Sequence, residues 1–480
     1  MNARTPTGHA DHASSGRSLV LWLLAVGCLL LTILGLLRQR PDDTAPAQQG
    51  SAAAAPPAAS EISSARDRLF ARLPHRRSSF EPAPTPEQVF SNKLSQFACS
   101  RRDIAEAIAK KFDLKLSVEV ERFFAAAEAG RWEELKTMFE NFKQRLHSDE
   151  DAADLRKIWP AMFETFCVAE VAREWPAQQL LDYGQSVLGA LRPGMVYVGG
   201  TDAGRYIPTL LNETSGGEPH IIITQNALAD GSYLNYLGFL YGDRMATLTG
   251  EESQRAFQSY LADVQQRFAH DREFPEEPAQ LRPGESVHME GNRVQVSGQV
   301  AVMAINERLL QMLLANNPDL SFALEESFPF RSTYGAASPL GPLMELRAPD
   351  DENPLTAQRA AQSLDYWRTA AQRFAGASEA SDSDTRRAWA QMATAQGNLF
   401  AGRQYSAEAE QTYRLARDIA PGFLEPVGGL ARLLVDTGRA AEAGQLLDDF
   451  ARANAGQREA VEAFRRTLRA GPAQDAARTL

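Results

Sequence analysis

The stretch that most constrains this chain is MVYVGGTDAGRYIPTLL, residues 195–211. Met195 to Val198 is a short apolar run that stops at Gly199 and Gly200, and a helix-like segment follows from Arg205 to Thr214. The pattern recurs. HIIITQN (220–226) is rich in β-branched residues that suit a pleated, buried surface, and ALADGSYLNYLGFLYG reads as the helix after it. AVMAINERLLQMLLANNP is a further helix and DLSFALEES (319–327) a third strand. Strands this short and this apolar need cover on both faces. Their alternation with helices predicts a parallel α/β sheet over residues 191–348. Within that span, SVHMEGNRVQVSG (286–298) alternates about Glu290-Gly291-Asn292 and predicts a hairpin.

In an open parallel sheet, ligands bind beyond the C-terminal ends of the strands. The three strand ends carry Thr201, Asp202 and Arg205, then Gln225, Asn226 and Asp230, then Glu325 and Glu326. These are the candidate ligand-binding residues, since a small-molecule site needs a few convergent polar groups. Gly199 and Gly200 would let backbone N–H groups reach an anion at a helix N-terminus, and Arg205 would pair with a phosphate or carboxylate. The spacing G-G-T-D-A-G is, however, neither G-x-G-x-x-G nor a P-loop. Asp202, Asp230, Glu325 and Glu326 also repel a bare phosphate and suit a polyol or a cation-bridged ligand. The structural alternative is a plain turn: Asp202 caps the helix, the glycines bend the chain, and Arg205 pairs with Asp202 or Glu326. Both readings stand at this level, and no catalytic residue is assigned.

Leu19 to Leu37 carries no charged residue and is flanked by Arg17, Arg38 and Arg40. At 1.5 Å per residue it can just cross a hydrocarbon core of roughly 30 Å. It predicts a single transmembrane helix after a tail (1–18), with a cleaved signal or a lipoprotein at Cys28 as alternatives. The Ala/Pro-rich linker 38–86 cannot bury a core. It places the soluble part on the periplasmic side of an inner membrane. Residues 87–190 read helical, with Phe123, Phe124, Trp132, Leu135, Phe139 and Phe142 at helical spacing as a core stripe.

The 480 residues carry a formal net charge of -11, which disfavours a nucleic-acid partner because phosphates need a basic face. Three cysteines and seven histidines form neither a disulfide framework nor a metal-ligand spacing. No metal or cofactor is therefore expected, and the sequence names no reaction.

Residues 355–480 read helical throughout. In 390–423, Gly397, Phe400, Ala409, Tyr413, Ala416 and Pro421 fall on signature positions of the tetratricopeptide period of ~34 residues. Residues 424–457 repeat it more weakly, through Leu434, Ala443 and Leu447, while Phe450 and Ala455 depart from it. A helix near 458–470 would cap the stack, and one near 355–376 would join it. The expected fold is thus α/β plus all-α: a transmembrane helix, a helical region, a parallel α/β domain and tetratricopeptide-like repeats.

VYVGGTDAGRYIPT, IITQNALADGSYLNYLGFLYG, VQVSGQVAVMAINERL, FALEESFPFRSTYGAASPLGPLMELR and FFAAAEAGRW together resemble a set of uncharacterised bacterial membrane proteins. They are typical of Verrucomicrobia-like genomes and carry tetratricopeptide repeats. The α/β part more distantly resembles the soluble portion of proteins related to protein O-mannosyltransferases. Gly200-Thr201-Asp202 up to Pro208 and Glu325-Glu326-Ser327-Phe328-Pro329 carry that likeness. The first functional expectation is a membrane-anchored interaction or scaffold protein, with the membrane met through 19–37 and a protein partner through the repeats. The alternative implied by the distant resemblance is an enzyme or sugar-binding accessory in cell-envelope glycan or lipid-linked sugar handling.

Overall fold

The computed structural model describes residues 83–148, 152–282, 285–290, 293–346, 355–375 and 383–469. The predicted transmembrane segment 19–37 and nearly all of the linker lie outside the described residues. Among the described residues no helix is long and apolar enough to cross a membrane, so the expected spanning helix has no support in the structure. The described chain forms two compact units, a smaller one of 226–234 and 248–310 and a larger one of the rest.

The larger unit opens with α1 (Pro86–Lys111), whose start is a capping box: Gln88 N–H donates to Thr85 Oγ1 and Thr85 N–H to Gln88 Oε1. Next come α2 (Val118–Glu128) and α3 (Trp132–Ser148), then α4 (Ala153–Glu174) and α5 (Ala177–Ala190). Pro160 lies within α4. Phe123, Phe124, Leu135, Phe139 and Phe142 are buried, and the Phe139 ring stacks on Phe166 at 3.8 Å. Arg101 of α1, 1% exposed, is held on two oxygens of Glu213 at 2.6 and 2.5 Å and lies 2.8 Å from Glu164. Strand β1 (Val196–Gly199), helix α6 (Asp202–Glu213) and strand β2 (Ile221–Thr224) follow.

Helix α7 (Gly231–Tyr241) begins in the smaller unit, which continues through α8 (Gly250–Glu273), β3 (Ser286–Glu290), β4 (Arg293–Ser297) and most of α9 (Gln299–Asn316). The hairpin pairs antiparallel, with Glu290 opposite Arg293. The buried Glu285 carboxylate ties this unit together. It accepts from Arg267 at 2.5 and 2.9 Å, from the Tyr260 hydroxyl and from the Arg282 N–H.

Back in the larger unit, β5 (Phe322–Leu324), β6 (Ala337–Leu340) and β7 (Leu343–Leu346) complete a sheet of order β2-β1-β5-β7-β6. β1 runs parallel to β2 and β5, with Val196 opposite Ile221 and Phe322. β7 runs antiparallel to β5 and β6. The parallel α/β class is therefore corrected: the described residues are mostly helical, 71%, with a small mixed sheet. One physical feature hid the antiparallel half. Pro339 reads as a strand breaker, yet it is tolerated in β6 because β6 is the sheet edge. Gly341-Pro342 is the two-residue turn joining β6 to β7.

Helices α10 (Ala357–Phe374), α11 (Ser383–Gly402), α12 (Ser406–Ile419), α13 (Leu424–Asp436), α14 (Ala440–Ala453) and α15 (Arg458–Arg469) close the chain. They share a core that includes Phe400, Tyr413, Leu430, Leu447 and Val461. The Tyr413 ring is wedged between α11 and α13: a Cβ on Gly397 would come to 2.6 Å of it, and one on Gly429 to 2.5 Å. Buried Gln396 joins this array to the sheet. Its Oε1 accepts from Ser363 Oγ at 2.5 Å and Trp367 Nε1 at 3.0 Å, and its Nε2 donates to the Gly341 and Leu343 carbonyls, each at 2.8 Å.

Candidate functional site

The loop from β1 to α6 has the form of an anion cradle. Thr201 is the N-cap, and its Oγ1 accepts the Gly204 N–H at 2.9 Å. The cradle is filled by the chain itself. Glu325, just past β5 and 1% exposed, places Oε2 2.7 Å from the Gly200 nitrogen and 2.8 Å from the Thr201 nitrogen. Its Oε1 accepts the Thr201 hydroxyl at 2.9 Å. Burial pushes the Glu325 carboxyl up, against the opposing pull of the Thr201 and Gly200 N–H groups. Gly204 is obligatory here, since a Cβ would come within 2.1 Å of Glu325 Oε2. The glycines of the loop thus admit an internal carboxylate where the sequence reading allowed a ligand.

The other predicted residues have different partners. Gln225 is fully buried, and its Oε1 accepts the Ser327 N–H at 3.2 Å and faces Gly200. Asp202 and Arg205 form an ion pair on the first turn of α6, and Arg205 Nε also donates to the Thr201 carbonyl at 3.3 Å. Glu326 turns the other way: its carboxylate accepts the Phe330 N–H at 2.5 Å and the Tyr334 hydroxyl at 3.0 Å. It is an anchor for the 326–334 loop and not a rim group. Asn226 and Asp230 belong to the smaller unit. Asp230 starts α7 by accepting the Ser232 N–H at 2.8 Å and its hydroxyl at 2.7 Å.

A second cluster lies on the α4 side of α6, where no local motif marks it. Glu170 of α4 has Oε2 buried with no hydrogen-bond partner. Burial, then the charges of Glu174 and Asp202, lift its carboxyl to about 7. Burial pushes the neighbouring Cys167 thiol far up, which keeps it protonated and unreactive. Tyr206 bonds Cys167, and the Arg205 guanidinium lies 5.0 Å from the Tyr206 ring. Only spatial proximity of two helices far apart in sequence assembles this group, so periodicity could not reveal it.

Among the described residues no group of three or more His, Cys, Asp or Glu side chains is arranged to hold a metal ion. A hollow of about 510 Å³ is lined by Lys93, Leu181, Asp182, Leu188 and Leu211 among others, and by none of the predicted site residues. Helix α11 is covered by the sheet and its loops: besides Gln396, Arg403 donates to the Tyr334 and Gly335 carbonyls at 3.0 and 2.6 Å. No family model matches the chain, and neither a curated protein nor a solved structure matches it.

Proposed function

We propose that the protein is an interaction scaffold, with partners docking on the outward faces of the α10–α15 array. One observation carries this over the ligand-binding rival: the cradle that would take a ligand is occupied by the Glu325 carboxylate. The array supplies what a docking platform needs. Its helices share one core, and Gln396 fixes it to the sheet, so its surface is presented rigidly. Outward charges are ordered in a network in which Glu410 accepts from Arg414 and Arg439, and Arg439 also pairs with Glu442. The test is site-specific photo-crosslinking of the full chain in its native cells, from exposed Gln411 on α12 and Gln445 on α14. A discrete protein adduct from these positions, absent from a control at Glu251, is the expected result. Array positions that give nothing beyond the control defeat the reading.

A second reading, an enzyme or sugar-binding accessory, is favoured by Glu170. A carboxyl lifted to about 7 beside the Asp202–Arg205 pair has the properties of a proton-transfer group. A screen of sugars and nucleotide sugars separates the two readings. A ligand that raises the Tm of the wild type but not of Glu170→Gln would favour the second.

A further inference from the structure

Every lysine of the chain lies between Lys93 and Lys157; all other basic side chains are arginine or histidine. Four of these lysines gather at one place, the turn from α1 to α2 with the adjoining start of α4. Lys110, Lys111, Lys115 and Lys157 are all exposed there. The same turn carries two of the three large apolar side chains that stand exposed among the described residues, Phe112 at 47% and Val118 at 78%. The Phe112 ring has the Lys157 ammonium 5.3 Å from its centroid and the Lys111 ammonium 5.8 Å away. The backbone holds the turn in shape. Asp113 takes φ 53, and the Leu114 N–H closes onto the Ala109 carbonyl at 2.8 Å, a helix-ending geometry that directs Phe112 outward.

We propose that this tip docks on an anionic lipid surface, with Phe112 and Val118 in the interface and the four lysines at the headgroups. Lysine suits the task because its aliphatic stem lies along apolar surface while the ammonium stays at the charged layer. Basic residues beside exposed aromatic and aliphatic side chains combine the two attractions that hold a protein on such a surface. Of the acids around the turn, Glu119 is paired with Arg145 at 2.8 Å and Asp154 with Lys157 itself at 3.5 Å, while Asp113 and Glu121 are exposed. A protein partner is the weaker fit. A specific protein interface covers about 800 Å² per side, whereas two apolar side chains on one short turn suffice only for a surface that wraps around them. This inference does not depend on the scaffold reading.

The test is amide hydrogen exchange on the full chain with vesicles of phosphatidylglycerol and, separately, of phosphatidylcholine. Residues 19–37 are the same in every arm, so only a local readout counts. Expected is slowed exchange over 110–118 with phosphatidylglycerol, less with phosphatidylcholine, and weakened as salt shortens the Debye length from about 10 Å toward 3 Å. The double variant F112S/V118S, altered only at exposed positions, loses that protection while exchange elsewhere is unchanged. A Lys110→Ala, Lys115→Ala variant loses the difference between the two lipids. No protection with either lipid, or protection that F112S/V118S retains, overturns the proposal. So does protection by lipid-free polyglutamate without protection by vesicles, which assigns the tip to an acidic protein.

Discussion

Glu325 and Thr201, 124 positions apart in the chain, are joined twice: the Thr201 N–H donates to Oε2 at 2.8 Å and its hydroxyl to Oε1 at 2.9 Å. The negative end of one strand loop thereby satisfies the positive end of α6, as an external anion would. Glu325→Ala strips the Gly200 and Thr201 N–H groups of their acceptor and leaves a hole. Two unsatisfied buried donors cost about 3 kcal/mol together, read by urea unfolding. The emptied cradle should then accept a small anion. Formate or acetate is expected to raise the Tm of the variant and leave the wild type unmoved. Equal responses from both proteins would mean that the cradle is not an anion site.

Gln396 has all four of its amide hydrogen-bonding positions used, toward α10 and toward the β6–β7 turn. Gln396→Leu keeps the volume and removes every partner. The Gly341 and Leu343 carbonyls, the Trp367 indole N–H and the Ser363 hydroxyl lose a partner in the interior. A loss of about 3 kcal/mol or more is expected. Array and sheet should then unfold in separate steps by tryptophan fluorescence and far-UV circular dichroism. A single unshifted transition in the variant would show that Gln396 is not the joint.

The strands β1, β2 and β5 and the hairpin β3–β4 were legible because local pattern decides them: apolar runs stopped by glycine, and alternation about a turn. The edge strand β6 was not, because Pro339 has strand-breaking chemistry that only an edge position excuses. The cradle was legible as a shape in Gly199-Gly200-Thr201, and its occupant was not. Glu325 and Glu326 are neighbours of the same type in sequence, yet one turns into the cradle and the other toward Tyr334. That choice is made by packing of the whole unit. The Tyr413 ring lies against Gly397, a close approach that leaves no room for a Cβ at 397.

Arg101 is the buried charge on which the helical region depends. It is held on both oxygens of Glu213 and faces Glu164, which also accepts the Tyr236 hydroxyl at 2.9 Å. Arg101→Met leaves two carboxylates in the interior without their cation, and breaking such a pair costs about 3–5 kcal/mol. Arg101→Lys should recover little of this, because an ammonium cannot grip both oxygens of Glu213 and reach Glu164 as well. The comparison is made by thermal and denaturant unfolding. Near-wild-type stability of the lysine variant would contradict a role for the planar fork.

Glu170 gives the protein a stability that depends on pH near neutrality. Its folded carboxyl is lifted from an ordinary 4.5 to about 7, by burial first and then by Glu174 and Asp202. Below 4.5 both the folded and the unfolded chain carry the proton, and Glu170 adds no pH dependence. Between 4.5 and 7 the unfolded chain has released the proton and the folded one has not, so stability falls as pH rises. Above 7 both are ionised and the loss is complete. Because the group is partly solvated, the loss is about 1 kcal/mol rather than the full value of the shift. Glu170→Gln should flatten this segment of the stability curve between pH 5 and 7 and leave the variant more stable than wild type at pH 8. A variant whose slope over that range matches the wild type would move the titration to some other group. It would also remove the one observation that favours a proton-transfer role for this site.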